Sequence, residues 1–376
     1  MESLIYLDNG ATTPIDPRIV TGLATRQGAL FGNPESSHPL GREAHKSHRE
    51  SRARVAQQLG GRPEEIVFTS GGTEAIGLAI YGLAGASPGH IVHSNVAHSC
   101  IREPAAWLAR HRGWTPQIVA ADPEGRVTPS ALGESLRPDT RIVVLMLANN
   151  EVGCINDVGA LTQVVRAKSP RARIVLDAVQ AFGKIPVDVR DLDVDCLAIT
   201  AHKLHGPKGI GALWTRIALT PIMRGGGQEN GLRGGTQSAP LAWALAECGA
   251  LQAAGMAQVT ALRDRLYAGL RAHLPDIRLT GPEPGPWRLG NHLHLCIPGL
   301  PGEPLLNALS SRGVCVSAGS ACSTGKFSRI LTAMGRSEKD GAYLRFTTGR
   351  FNTVEEIDLA IEHVIAVVEE LRSVYA

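Results

Sequence analysis

The 376-residue chain is poor in the features that mark several common protein classes. Aromatic residues make up only 4% of it, so no stacking platform for single-stranded nucleic acid stands out. Lys and Arg number 38 against 35 Asp and Glu, and a net charge of +3 argues for neither a nucleic-acid partner nor an anionic membrane surface. No apolar run approaches the roughly 18 residues needed to span a bilayer. The opening MESLIYLDNGATTP lacks a basic segment followed by an apolar one, so no signal peptide is expected. Seven cysteines, at positions 100, 154, 196, 248, 296, 315 and 322, contain no CxxC pair, which excludes a zinc ribbon and a thioredoxin-like motif. The expectation is a cytoplasmic protein with free thiols.

What is present reads as a loop-rich α/β enzyme, with 43% hydrophobic residues, 42 glycines and 23 prolines. From about residue 60 to 215 short apolar runs (EIVFTS, HIVHS, RIVVLMLA, RIVLDAVQ, DCLAIT, GALWT) alternate with helical patterns at 73–86, 99–112 and 158–168. The runs are near-continuous rather than alternating, as expected of mostly parallel strands covered on both faces. Asp16-Pro17 predicts a helix start, residues 42–59 a charged helix, and a long helical pattern runs to about His273. NHLHLCI, VCVSAGSAC and AYLRFT then give a smaller α+β region, closed by a helix whose Thr353 and Glu356 form a capping box. The domain reading is a large domain over 15–255, with 1–14 and 256–376 forming a small one.

Ligands of open α/β sheets bind at the carboxyl ends of the strands. Those ends carry Ser70-Gly71-Gly72-Thr73, His98, Asn149-Asn150-Glu151, Asp177 with Gln180, and Thr200, His202 and Lys203. Gly72-Thr73 opening a helix suits a phosphate, although alone it reads first as a plain tight turn. No GxxxxGK[ST] occurs, which excludes a P-loop. A phosphate cradle, a lysine amine and an acid on an adjacent strand together suggest pyridoxal phosphate. Two histidine sets have plainer readings. His292, His294 and Cys296 share one strand face and are read as structural, not as a metal site; His45 and His48 are read as surface residues.

YLDNGATTP, FGNP, FTSGGTEA, NNEVG, LDAVQAFGK, AHKLHGPKGIGAL, RGGT, SAGSAC and RFTTGRF follow in an order that resembles NifS/IscS-type cysteine desulfurases. These are class V aminotransferases of the fold-type I pyridoxal-phosphate group, and the resemblance runs from Tyr6 to the final helix. It implies a large domain with a mostly parallel seven-stranded sheet and a smaller α+β domain. It makes Lys203 the Schiff-base lysine, sets Asp177 against the pyridine nitrogen and His98 over the ring, and brings Gln180 to the ring hydroxyl. Gly72, Thr73, Thr200 and His202 would hold the phosphate, with Thr236 reaching the phosphate of a second subunit in a homodimer. Asn33, Asn150 and Arg345 would hold the substrate carboxylate, for which a guanidinium fork is suited.

By the same resemblance Cys322 would take sulfur from L-cysteine as a persulfide, release alanine, and pass the sulfur to an acceptor or iron–sulfur scaffold protein. Of the other cysteines, Cys100, Cys154, Cys196 and Cys315 sit in or beside apolar runs and are read as small hydrophobes. The loop after Cys322 looks shortened relative to the family, and less sequence follows the last helix than in its housekeeping members. Two alternatives remain at this level: selenocysteine lyase or another class V reaction on the same fold, and a binding protein that has kept the fold without catalysis.

Overall fold

The structure, a computed structural model, describes residues 4–318 and 327–375. Its strands in chain order are β1 (Ile5–Tyr6), β2 (Ile66–Thr69), β3 (His90–Ser94), β4 (Thr115–Val119), β5 (Thr140–Met146) and β6 (Arg173–Asp177). They continue with β7 (Cys196–Thr200), β8 (Gly211–Thr215), β9 (Arg278–Leu279), β10 (His292–Ile297), β11 (Val314–Cys315) and β12 (Ala342–Thr347). A seven-stranded sheet has the order β2-β8-β7-β6-β5-β3-β4. Only β8 runs against its neighbours, so the remaining strands share one direction and one carboxyl edge.

The composition of β5 shows why these runs are continuously apolar. Val143 and Leu145 enter one core with Leu161 and Val165, while Ile142, Val144 and Met146 enter the opposite one with Ile76 and Ile101. Both faces are dry, and side chains of alternating direction all meet apolar partners. Strand β4 does not announce itself this way. It pairs with β3 alone, contains Pro116 and is largely exposed, which is how an edge strand escapes pattern reading.

The second body of structure contains the antiparallel sheet β12-β10-β9 and the parallel pair β1-β11. Helix Ala239–His273 runs unbroken for 35 residues from one body to the other. Its Ala242, Leu245 and Ala246 join the core of the large sheet, and its Leu262, Leu266 and Leu270 join the core beneath helix Val354–Tyr375. The capping predictions hold. Asp16 accepts from the Arg18 N–H at 2.9 Å, and Thr353 and Glu356 exchange bonds of 3.3 and 3.2 Å. Among the described residues no helix is long and apolar enough to cross a membrane.

Candidate active site

The carboxyl ends of β2, β6 and β7 open into a cleft of about 280 Å³. Lys203 lies in it three residues beyond β7. Its Nζ donates to the Gly10 carbonyl at 2.7 Å and the Ala11 carbonyl at 2.6 Å, both on the N-terminal arm. That arm is thus the lid over the lysine's strand-end position, joined again where Thr13 Oγ1 donates to the His202 carbonyl at 3.0 Å.

Asp177 closes β6 and is 4% exposed. Its Oδ1 accepts from the Val179 N–H at 3.0 Å, and the Cys100 thiol lies 3.8 Å from Oδ2. Burial pushes its pKa up to about 6, against the opposing pull of the Val179 bond and of Lys203. Among the described residues it forms no salt bridge, so the site holds a buried carboxylate whose charge is poorly compensated.

His98 caps helix Ser99–Arg112, its Nδ1 accepting from the Cys100 N–H at 3.2 Å. Burial, then Lys203, Arg102 and Arg329, hold its pKa below the usual histidine value. The ring is therefore neutral, and since Nδ1 accepts, its proton sits on Nε2.

The opposite end of the cleft is the start of helix Gly72–Ala84, whose first N–H groups have no partners within the helix. A Cβ on Gly72 would stand 2.5 Å from Val179 Cγ2, so only glycine lets the helix end approach this closely. Thr200 Oγ1 donates to the Ile210 carbonyl at 3.2 Å. His202 Nδ1 pairs with Thr12 Oγ1 at 3.2 Å, and burial, with Lys203, pushes its pKa down to about 4.

Arg345, on β12, is 2% exposed and forms the remaining wall. It donates to the Asn150 carbonyl at 2.9 Å and to Asp8 Oδ1 at 2.6 Å. Asn150 Oδ1 is buried and has no hydrogen-bond partner among the described residues. Gln180 completes the cleft, its Nε2 donating to the Gly10 carbonyl at 2.9 Å.

Two sequence candidates are not in this cleft. Asn33 is exposed and its Oδ1 accepts from the Glu35 N–H at 3.0 Å, a local turn; Thr236 is exposed on a separate segment. Cys322 lies outside the described residues. The residues flanking that gap are held beside the cleft. Ser317 pairs with Arg345 backbone to backbone, and Ser328 donates to Glu151, whose pKa burial raises.

The structure corrects two further readings. His48 is not a surface residue: it is 5% exposed and bonds Glu229 Oε1 at 2.8 Å, beside the Arg52 guanidinium. Cys100 is not merely core filling, since it lines the cleft against Asp177. His292 and His294 are fully buried and their ring nitrogens have no partners among the described residues. No cluster of three or more metal-binding side chains occurs among the described residues. Asp8, Cys100 and Lys184 were missed as site neighbours. The lysine four residues after Gln180, in LDAVQAFGK, was the signal available in the sequence.

Residues 5–359 match the family described as aminotransferase class-V. A cysteine desulfurase IscS from Stutzerimonas stutzeri is 38% identical over 390 residues, covering 99% of this chain and 94% of that one. A cysteine desulfurase IscS from Methanosarcina thermophila is 35% identical over 381 residues, covering 98% and 93%. Among solved structures, a NifS-like protein superposes with a TM-score of 0.91 at 32% identity, covering 98% of this chain and 100% of that one.

The chain belongs to the class-V aminotransferases. Members of this family use pyridoxal phosphate, and the residues present fit that group on three counts. Asp177 is a buried carboxylate with no salt-bridge partner among the described residues, and a protonated pyridine nitrogen would supply one. The N-terminus of helix Gly72–Ala84, with Thr73, Thr200 and His202, offers donors to a phosphate. Lys203 lines the same cleft with its amine bonded to two carbonyls that can release it. In a class-V enzyme these residues would hold the cofactor between Asp177 and the Gly72 turn, with Arg345 and Asn150 at the mouth.

Proposed function

We propose that this class-V enzyme is a cysteine desulfurase that converts L-cysteine to L-alanine and leaves the sulfur as a persulfide on Cys322. The observation that carries the reading is the joint placement of Lys203, the charge-hungry Asp177 and Arg345 in one cleft. The names of the curated relatives support it, as does a solved neighbour, SspA in complex with cysteine, with a TM-score of 0.79 at 28% identity over 93% of this chain.

Pyridoxal phosphate supplies an electron sink at the substrate Cα when bound. Arg345 orients the amino acid by its carboxylate, with Asn150 Oδ1 as a further polar contact. Lys203, bonded to the Gly10 and Ala11 carbonyls, is placed to take and return the Cα proton. Neutral His98 exchanges a proton with the thiol groups entering the cleft. The Cys322 thiolate bonds to the substrate sulfur, the Cβ–Sγ electron pair stays with carbon, and a proton converts Cβ to the alanine methyl. The division into a large domain over 15–255 and a small one formed by 1–14 and 256–376, a cytoplasmic homodimer that brings Thr236 to the partner's phosphate, and an acceptor or iron–sulfur scaffold protein as sulfur recipient complete the proposal.

The test is turnover of L-cysteine by the cofactor-loaded protein with a reductant present, measuring alanine and sulfide together. Equal yields in the native enzyme, and loss of both in Cys322→Ala and Lys203→Ala, are expected. Undiminished turnover by Cys322→Ala would move the protein to selenocysteine lyase or another class-V reaction.

A further inference from the structure

Lys184 is a buried cation that the reaction above leaves unused. It is 7% exposed, and among the described residues it forms no salt bridge. Among the described residues its Nζ donates to Gln180 Oε1 at 2.8 Å. Gln180 in turn donates from Nε2 to the Gly10 carbonyl, which also accepts from Lys203. Buried lysines are rare unless paired, so the position asks for a reason.

An amide can enter a hydrogen-bond chain either way round, and ordinarily its two ends are hard to tell apart. Here the partners decide. An ammonium only donates and a carbonyl only accepts, so Oε1 must face Lys184 and Nε2 must face Gly10. Nε2 carries a second proton for a ligand in the cleft. The Gly10 carbonyl asks for the donor end by itself, and the Lys184 ammonium adds a second constraint by holding Oε1 at the other end.

We propose that Lys184 is a positioning residue that fixes the Gln180 amide with its donor end toward the cleft, so that an anionic oxygen on the ring of the bound cofactor always meets an N–H. The inference rests on the pyridoxal-phosphate reading of the site. The groups whose charge acts on Lys184 or responds to it are Lys203, Arg345, His202, His205 and His292, all basic, while Asp177 is the only carboxylate lining the cleft among the described residues. Burial, then Lys203 and Arg345, push the Lys184 pKa down to about 7 in the ligand-free protein. An arriving anionic ring oxygen therefore favours the ammonium form and strengthens the polarity it imposes on Gln180.

The experiment is a spectrophotometric pH titration of the visible band of the cofactor-loaded protein, which reads the ring environment without turnover. Native protein is compared with Lys184→Met, Lys184→Arg, Gln180→Met and the Lys184→Met/Gln180→Met pair. Loss of a cation and of an oriented donor should both raise the midpoint, by about half a unit or more for Lys184→Met, the scale of one hydrogen bond. Lys184→Arg should restore it, and the two Met substitutions should add to less than their sum. If Lys184→Met does not fold, Lys184→Gln takes its place, since a neutral amide can face Gln180 with either end. An unchanged midpoint in the Lys184 variants, or full additivity with Gln180→Met, would overturn the proposal. A native protein with no visible band after adding pyridoxal phosphate would instead overturn the functional reading beneath it.

Discussion

Asparagine at position 177 separates what the carboxylate costs the empty protein from what it contributes to the loaded one. Burial raises the Asp177 pKa from 3.8 to about 6. That rise corresponds to about 3 kcal/mol of unfavourable charge burial at about 1.4 kcal/mol per unit. The sign follows from proton counting. Below the unfolded value the carboxyl is protonated in both states and the cost is absent. It grows as pH climbs from 3.8 to about 6 and is complete above that. Asp177→Asn keeps the shape and removes the charge, so the cofactor-free variant should be more stable than native, by up to about 3 kcal/mol near neutral pH. The advantage should vanish near about pH 4. With cofactor the order should reverse, because the variant has no anion for the pyridine nitrogen. Urea midpoints of stripped and reloaded protein at one fixed concentration, between about pH 4 and about pH 8, read both effects. A stripped variant that is less stable than native at every pH would refute the reasoning.

Three more outcomes are expected. Glu229 accepts from His48, Arg52, Gln237 and the Phe68 N–H, and its pKa is lowered to about 2. Glu229→Gln should therefore cost about 3 kcal/mol above its unfolded pKa, a difference that narrows as pH falls toward 2, read by chemical denaturation. Gly72→Ala forces a Cβ to 2.5 Å from Val179 and should cost about 1–3 kcal/mol of packing, most of it seen as faster loss of cofactor on dialysis. Ser328→Ala removes the donor to buried Glu151 and should destabilise the protein by about 1–3 kcal/mol, more at alkaline than at acid pH, in a thermal melt.

Much of this site could be read from strand ends because β-sheet geometry makes it local. Each of β2, β6 and β7 delivers its next few residues to one edge, so Gly72, Thr73, Asp177, Gln180, Thr200, His202 and Lys203 reach one cleft by short steps. Contacts made across the chain left no such trace. Asp8 meets Arg345 across 337 residues, and the Gly10 and Ala11 carbonyls meet Lys203 only because the N-terminal arm folds back. His48 was misplaced because a charged helix reads as exposed all round, and its partner Glu229 lies in a distant irregular segment. Strand β4 was missed because an edge position needs no continuous apolar run. The Asn33 and Thr236 assignments came from resemblance alone, and a single chain brings neither to the cleft.

The most direct measurement is the mass of the cofactor-loaded protein after one equivalent of L-cysteine without reductant, with trapping of persulfide and peptide mapping. The account predicts one added sulfur on the peptide that contains Cys322, matched by one alanine released, and no added sulfur in Lys203→Ala. Alanine without protein-bound sulfur, or the sulfur found on another cysteine, would contradict it.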